Sequence, residues 1–413
     1  MTAGPGSAVR RARLAVFWIF ILCGVISSLW SASLPAISTR LQVGETRLGI
    51  VLLLAGAGAV AVMPLTGWLC DRRGSRAVLQ VGAPLSGLSL LGPALAGSFP
   101  GLLAAAFALG AGIGSLDVAM NAHAIAVEQR YGRPIMSAFH GFWSIGGVLG
   151  SAVIAAGLHF GAADPALIAG GAAAVAVLLA LPGPLLLPHG TGAAARAAPR
   201  GAAGQATRPR RGVVALLGLV AAAGFICEGS ALNWAPLHAI RELHTAPPTA
   251  ALAYTVFATA LTTGRLTGDW ARRWLGPVRA MAVAGATAAC GYLLVLLAPS
   301  LPAGGLACDF AAWAVTGLGL ATVVPAVFSA VGALDSGVGR ALSRVAMCGY
   351  AGELAGPAVI GPLAGATSLR VAMLVPGGLA LLITGLGPVA VIRAIRPGST
   401  LRLPGRGVPA GRR

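Results

Sequence analysis

The sequence predicts an all-α membrane protein with twelve transmembrane helices in two pseudo-symmetric six-helix bundles. Apolar residues make up 57% of the 413 residues and charged residues only 10%, with a mean hydropathy of +0.84. Soluble domains average about 45–50% apolar and about 25% charged residues. This composition excludes a soluble enzyme, a secreted disulfide scaffold and a disordered chain. The long unbroken apolar runs also disfavour a transmembrane β-barrel, in which hydrophobicity alternates over segments of about 10 residues.

Each predicted helix is a run of about 20 predominantly apolar residues, the length that crosses a bilayer. The runs of the first half are residues 14–36, 46–70, 77–97, 100–125, 135–158 and 165–187. Those of the second half are residues 212–236, 248–270, 278–298, 303–332, 340–364 and 369–393. The resulting domains are an N-terminal bundle of residues 1–187, a flexible linker of residues 188–211, a C-terminal bundle of residues 212–395 and a disordered tail of residues 396–413.

Arginines between the apolar runs set the predicted orientation. All 29 basic residues are Arg, and the net charge is +18. With the N-terminus inside, 24 of them fall in inside segments and four fall outside, at Arg40, Arg47, Arg241 and Arg370. Because basic residues accumulate on the cytoplasmic side, both termini are predicted to be cytoplasmic. Short clusters of this kind indicate topology and not a nucleic-acid-binding face.

The two halves form an internal repeat. The segment Cys23 to Trp30 matches Cys227 to Trp234 at an offset of 204 residues, and Gly110-Ala-Gly112 matches Gly317-Leu-Gly319 at an offset of 207. Parallel halves of this kind place a binding site between them, near the membrane midplane.

The loop after the second predicted helix carries the sharpest motif. It runs Gly67-Trp-Leu-Cys-Asp71-Arg72-Arg73-Gly74-Ser-Arg76, and a degenerate copy after the eighth helix runs Gly264-Arg265-Leu-Thr-Gly268-Asp269-Trp-Ala-Arg272-Arg273. With the twelve runs and the basic linker, these motifs resemble the major facilitator superfamily. The polar stretch from Asp117 to His140 resembles a narrower bacterial branch, the rhizopine-transporter-like proteins.

The resemblance implies a cytoplasmic gate. Asp71, Arg72 and Arg73 would latch the cytoplasmic side in the outward-open state, with Glu128 or Arg130 as partners. The predicted gate motif as a whole comprises Gly67, Asp71, Arg72, Arg73, Gly74, Arg76, Gly264, Arg265, Asp269 and Arg272. The alternative is that the arginines only orient the chain. Asp71 argues against that alternative, because orientation requires no acid.

Polar residues inside the apolar runs are candidates for a substrate or proton pathway, since an ionisable group at the bilayer centre costs about 2.5–3.5 kcal/mol or more. Asp117 and Asn121 share a helical face, and His140 on the next helix is expected at a similar depth. The predicted pathway comprises Trp30, Asp117, Asn121, His140, Glu228, Asn233, Trp234 and Glu353. A static buried network remains the alternative for the polar members, and packing the alternative for the two Trp residues. Asp309 is expected to reach water.

The leading functional hypothesis is a secondary transporter of a small polar organic solute, working by alternating access in symport with protons. Its partners would be that solute, protons and the lipid of a bacterial cytoplasmic membrane, and the chain would be a monomer without cofactor, metal or nucleic acid. The alternative is a proton-coupled exporter of a drug or secondary metabolite. It is weakened because Ala106 lies where drug antiporters of the superfamily carry Arg. A membrane-embedded enzyme and a non-transporting sensor are less favoured, since the six His are scattered and no long soluble domain is present.

Overall fold

A computed structural model describes residues 6–162, 164–188, 211–301, 303–334 and 337–395. Within these ranges the chain consists of helices joined by short turns, with no β-strand. The all-α prediction is therefore confirmed for the described chain. Apart from Pro188 and Arg211 at its two ends, the predicted linker lies outside these ranges, as does the predicted tail of residues 396–413.

Six helices form the first half. They are α1 (Ser7–Leu41), α2 (Glu45–Arg73), α3 (Ser75–Leu88, continued by Leu91–Leu95), α4 (Phe99–Tyr131), α5 (Met136–His159) and α6 (Asp164–Ala180). Local signals set their ends. The Ser98 side chain caps α4 by accepting a hydrogen bond from the Gly101 amide, and α4 ends at Gly132 in the left-handed conformation, φ 72°.

The second half begins with α7 (Arg211–Leu243). The helix Pro247–Leu297 follows, and it breaks at Gly276, where φ is 74° and ψ is 162°. We call the arm before Gly276 α8 and the arm after it α9. The remaining helices are α10 (Gly305–Leu320, continued by Val323–Gly332), α11 (Val338–Ala366) and α12 (Leu369–Ala372, continued by Leu374–Ala394).

Ten of these helical segments are long and apolar enough to cross a membrane. One of the ten is the 54-residue segment Pro247–Ser300, which contains both α8 and α9. At 1.5 Å per residue it would measure about 81 Å, far more than a hydrocarbon core of about 30 Å. The 29-residue α11 is not among the ten, since Glu353, Pro357 and Pro362 interrupt its apolar run. A polytopic membrane protein is confirmed, and the count of twelve helices stays a prediction.

The turns of the two halves repeat one another. In each half, a residue with positive φ ends the first helix, a second separates the second and third helices, and a third lies between the fourth and fifth helices. The three pairs are Gln42 and His244, Gly74 and Gly276, and Gly132 and Gly337. Matching backbone geometry at matching turns indicates that the sequence repeat is also a structural repeat.

Small residues allow helices within a half to pack closely. Gly24 on α1 lies against the backbone of Trp143 on α5, and Gly110 on α4 lies against the backbone of Ala55 on α2. A β-carbon at either glycine would overlap a carbonyl oxygen of the neighbouring helix. Such small residues are a common means of helix association in membranes. The side of the bundle at which α1 begins, and where Arg72, Arg73 and Arg340 lie, is called the arginine-rich side below.

Candidate functional site

Two polar side chains meet one helical turn apart in the middle of α4. The Nδ2 atom of Asn121 donates hydrogen bonds to the backbone oxygen of Asp117 at 2.9 Å and to its Oδ1 atom at 3.1 Å. Asn121 is fully buried, and its own Oδ1 atom has no hydrogen-bond partner within the described chain. The i, i+4 spacing that predicted this pair places both side chains on one face of α4.

His140, the third side chain of the expected cluster, lies among aromatic side chains. Its ring centre is 5.3 Å from that of Phe20 and 5.8 Å from that of Phe328, so aromatic side chains surround it. Its Nε2 atom is buried without a hydrogen-bond partner among the described residues. Asp117 and Asn121 are therefore in direct contact, whereas no hydrogen bond joins His140 to either of them within the described chain.

An ion pair joins the middle of α7 to α8. The Nη2 atom of Arg265 lies 2.8 Å from both carboxylate oxygens of Glu228. Its Nη1 atom donates a hydrogen bond to the hydroxyl of Ser144 on α5 at 3.0 Å, so one guanidinium connects the two halves. Arg265 also lies over the ring of Trp143, 6.0 Å from its centre. Arg265 was assigned to the gate motif from sequence, and the structure places it instead in the interior with Glu228.

Glu353 completes the set of carboxyl groups between the halves. It lies near the middle of α11, beside Gly229 of α7, and has no hydrogen bond or ion pair within the described chain. Glu353 interacts electrostatically with Glu228 and with Asp117. Tyr350, one turn earlier on α11, interacts with both Asp117 and Glu353. We call the six residues Asp117, Asn121, Glu228, Arg265, Tyr350 and Glu353 the central polar site.

The central polar site borders accessible space. Glu353 is exposed, and Asp117 and Glu228 are partly exposed, although all three lie near the middle of long helices. On α7, Asn233 is exposed and donates a hydrogen bond to the backbone oxygen of Gly229. Because these residues come from helices of both halves, their exposure indicates open space between the halves at this depth.

The two Trp residues of the repeat have different surroundings. Trp30 is only 7% exposed and belongs to the hydrophobic core. Trp234 is half-buried, and its ring packs beside Gly361 of α11. Its Nε1 atom has no hydrogen-bond partner among the described residues. The two equivalent Trp residues therefore differ in exposure, since only Trp234 lies partly open.

On the arginine-rich side, the end of α2 meets the start of α11. Asp71 Oδ1 accepts a hydrogen bond from the Gly339 amide at 2.8 Å, and Oδ2 accepts one from Arg340 Nε at 2.9 Å. We call this contact the first junction. Glu128 or Arg130 was expected as a partner of the latch formed by Asp71, Arg72 and Arg73, whereas the observed partners of Asp71 are Gly339 and Arg340. Glu128 instead accepts the amides of Ile135 and Met136 within its own half.

The end of α8 meets the start of α5 in the same way. Asp269 accepts hydrogen bonds from the amides of Ser137 at 3.1 Å and Ala138 at 2.7 Å. We call this contact the second junction. In both junctions a carboxylate from one half caps the N-terminus of a helix from the other, where unpaired amides and the helix dipole favour negative charge. A third link between the halves is the hydrogen bond from Gln129 Nε2 to the backbone oxygen of Gly332 at 2.5 Å.

The other members of the predicted gate motif support these junctions. Gly67 packs against Gly339, and Gly264 packs against Ala321 of α10. The guanidinium of Arg72 lies 4.8 Å from the ring centre of Trp68, and Arg272 donates a hydrogen bond to Ser329. Gly74 forms the turn between α2 and α3, Arg73 is exposed, and Arg76 is partly exposed. Within the described chain, the side chains of Arg72, Arg73, Arg76 and Arg272 form no ion pair with the carboxylate of Asp71 or Asp269.

Two buried histidines lie outside the central polar site. The Ser75 hydroxyl is 2.9 Å from Nδ1 of His123, and the Leu187 amide donates to its Nε2 at 3.1 Å, so His123 joins α4 to α3 and to the end of the first half. Asp309 was expected to reach water. It is instead fully buried, with its Oδ1 atom 3.0 Å from Nδ1 of the equally buried His238. The expectation was wrong because position near a helix end does not reveal packing.

Several residues that form or contact the central polar site and the junctions belong to no motif recognised in the sequence. Ser144, Tyr350 and Arg340 lie outside the quoted gate motifs, and Ser144 and Arg340 gain significance only through partners on distant helices. The internal repeat relates one junction to the other. If Asp71 after the second helix contacts the start of the eleventh, the symmetry of the halves predicts that Asp269 after the eighth helix contacts the start of the fifth. Both contacts are observed.

Known proteins resemble the chain over most of its length. The family model described as Major Facilitator Superfamily matches residues 16–336. An uncharacterised transporter of Sinorhizobium fredii is 34% identical over 378 residues, covering 90% of this chain and 96% of that protein. The membrane protein MosC of Rhizobium meliloti is 30% identical over 365 residues, covering 87% and 85%. Among solved structures, the E. coli fucose:proton symporter superposes with a TM-score of 0.69 at 17% identity, covering 91% of this chain and 98% of that one.

Proposed function

Because the chain belongs to the Major Facilitator Superfamily, we propose that it carries a small polar organic solute across the membrane by alternating access, in symport with protons. Its family and relatives are transporters and not enzymes. The proposal places the chain as a monomer in a bacterial cytoplasmic membrane, with both termini on the cytoplasmic side, where the arginine-rich side would lie.

The observation that carries this proposal is the position of the polar contacts between the halves. Both junctions and the Gln129–Gly332 hydrogen bond lie on the arginine-rich side. The central polar site lies deeper, between the same two halves. Breaking the junctions and closing the opposite side would give the site access to the other face of the membrane. Rocking of two halves around a fixed midplane site is the general mechanism of alternating access.

The Glu228–Arg265 pair is the proposed proton-responsive element. Protonation of Glu228 removes its negative charge and weakens its hold on Arg265, whose Nη1 atom already reaches Ser144 in the other half. A proton on Glu228 thereby changes a contact between the halves. A solved structure with the same fold is a fucose:proton symporter, and this example supports proton coupling in the proposal.

The test is transport by purified protein in liposomes, followed with a pH-sensitive dye. We expect addition of one polar solute to raise the external pH as protons enter with it. Glu228→Gln should abolish solute-driven proton movement while counterflow of the same solute, which needs no net proton transfer, continues. Glu242→Gln is the matched control, since Glu242 accepts the Arg370 amide away from the site. Proton movement that persists in Glu228→Gln contradicts its role, and proton release on solute addition would favour antiport.

A further inference from the structure

Carboxyl groups outnumber cations in the central polar site. Asp117, Glu228 and Glu353 are its three acids, and Arg265 is its one permanent cation. Arg265 is committed to Glu228 through two contacts of 2.8 Å. Within the described chain, Asp117 receives side-chain hydrogen bonds only from the neutral Asn121, and Glu353 has none. Two carboxyl groups therefore face the gap without a positively charged partner.

The two uncompensated carboxyl groups come from opposite halves. Asp117 lies on α4 and Glu353 on α11, two helices that pack against each other, so the negative charges of these two groups repel. Next to Asp117, the fully buried amide of Asn121 has an unused acceptor, its Oδ1 atom. The site thus offers acceptors that lack donors. An ammonium group, with three donors, no acceptor and a positive charge, has the complementary chemistry.

We propose that the solute transported in the function proposed above is a small polar organic cation whose ammonium group binds between Asp117 and Glu353, with Asn121 Oδ1 as a further acceptor. Its charge relieves the repulsion between the two carboxylates and links a residue of each half. Tyr350 lies one helical turn before Glu353 and interacts electrostatically with both carboxyl groups, and an aromatic ring in this position would favour a cation over an anion. The same charges disfavour an anionic solute, because like charges in a closed site cost binding energy.

Binding is tested directly on the purified full-length protein by thermal unfolding in detergent near neutral pH. The probes are three ammonium compounds, namely ethanolamine, putrescine and glucamine. Each is paired with its neutral analogue, respectively ethylene glycol, butanediol and sorbitol. A ligand that binds only the folded state raises the melting temperature, so we expect stabilisation by one or more amines and not by their neutral partners. Equal stabilisation by an amine and its neutral partner overturns the proposal, as does the absence of stabilisation by every amine up to about 10 mM, a concentration that detects even weak binding.

Variants identify the site. Asp117→Asn and Glu353→Gln should each weaken amine binding about tenfold or more, the usual range for losing a charged hydrogen-bond partner. Asp117→Glu, which keeps the charge, should bind the amine more tightly than Asp117→Asn if both elute as folded monodisperse protein. Glu242→Gln should bind like the unmodified chain. Unchanged affinity in both Asp117→Asn and Glu353→Gln places the amine elsewhere and overturns the proposal.

The outcome is separable from that of the proposed transport. If amines bind at this site but no proton movement accompanies their uptake, proton coupling fails and the ligand assignment stands. If protons move with a neutral polyol while amines neither bind nor compete, the transport proposal stands and the ligand assignment fails.

Discussion

Arg265 lies four residues before Asp269, and this single helical turn separates a residue of the central polar site from a residue of the second junction. One turn of helix advances about 5.4 Å along its axis. Asp269 therefore reaches the start of α5, whereas Arg265 on the same face reaches Glu228 and Ser144 deeper in the bundle. Sequence spacing placed both residues in one motif. The depth of each side chain depends on where α7 and α5 cross α8, which the motif does not encode.

Other residues of the central polar site were predictable to different degrees. The Asp117–Asn121 pair follows from helical periodicity alone, because both partners belong to one helix. Glu228 and Glu353 were recognisable as acids in apolar runs. Their proximity was not, since it depends on packing between α7 and α11. The partner of Asp71 lies 269 residues away in the other half, so no local pattern could reveal it.

The buried His238–Asp309 contact gives a prediction at this scale. His238→Leu alone leaves the Asp309 carboxyl buried without a partner, and Asp309→Leu alone does the same to the imidazole. Each single change should destabilise the folded protein by about 1–3 kcal/mol, the cost of an unpaired buried polar group. The double change to Leu should be less destabilising than the sum of the two, because neither polar group remains. Thermal unfolding in detergent measures all three, and strict additivity would contradict a direct interaction.

At the scale of helices, the two junctions have a common design. Each uses the last turns of one helix to cap the first turn of another across the halves, α2 to α11 and α8 to α5. An N-terminal cap contributes about 0.5–2 kcal/mol to the helix that it caps. Because the cap comes from the other half, this energy also holds the arginine-rich side closed. Opening that side exposes both helix starts to water.

Loss of one junction should shift the protein towards opening on the arginine-rich side. Cys70 reports on this, since it is only 7% exposed and packs against Gly339 of α11. In a background whose other five cysteines are replaced, Asp71→Asn should increase the rate of Cys70 labelling by a maleimide several-fold, for a cap worth about 1 kcal/mol. It should also slow transport.

Glu128→Gln is the control for that measurement. Glu128 caps the start of α5 with a carboxylate from its own half, so its loss removes a helix cap without separating the halves. Labelling of Cys70 should then stay at the rate of the unmodified chain. If Asp71→Asn labels no faster than Glu128→Gln, the first junction does not hold the arginine-rich side closed.

Helix bounds were predictable to within several residues where the helix stays inside the membrane. The predicted run of residues 46–70 corresponds to Glu45–Arg73, and residues 135–158 correspond to Met136–His159. The first helix extends further than predicted, to Ser7–Leu41, because hydropathy marks the apolar core of a helix and not its polar ends. The predicted run of residues 340–364 corresponds to α11, Val338–Ala366, which is helical throughout although its Glu and Pro residues lower its hydropathy.

For the molecule as a whole, the sequence repeat predicted the arrangement of two similar halves with polar chemistry between them. The matched turns at Gly74 and Gly276 show why a weak sequence repeat was sufficient. Turn glycines and small packing residues help to fix the path of each half. How the halves meet could not be predicted, because every contact between them joins residues that are distant in sequence.

Orientation is a property of the whole chain and gives a further prediction. If the arginine-rich side is cytoplasmic, a fluorescent protein fused to the C-terminus should fluoresce in intact bacteria, and alkaline phosphatase fused there should be inactive. The reason is the 24 to four distribution of arginines between the two predicted sides. Active phosphatase at the C-terminus would reverse the orientation and, with it, the side on which the junctions close.

Three of the four donors that the two carboxylates bind most closely, at Gly339, Ser137 and Ala138, are main-chain amides. Every amino acid except proline supplies that group, so the hydrogen bonds themselves require no particular side chain at these three positions. Packing does constrain two of them, since Ser137 is fully buried and a β-carbon at Gly339 would overlap the backbone oxygen of Gly67. The two aspartates must therefore supply carboxylates, whereas the helix starts that they cap are restricted in size and not in hydrogen-bonding chemistry.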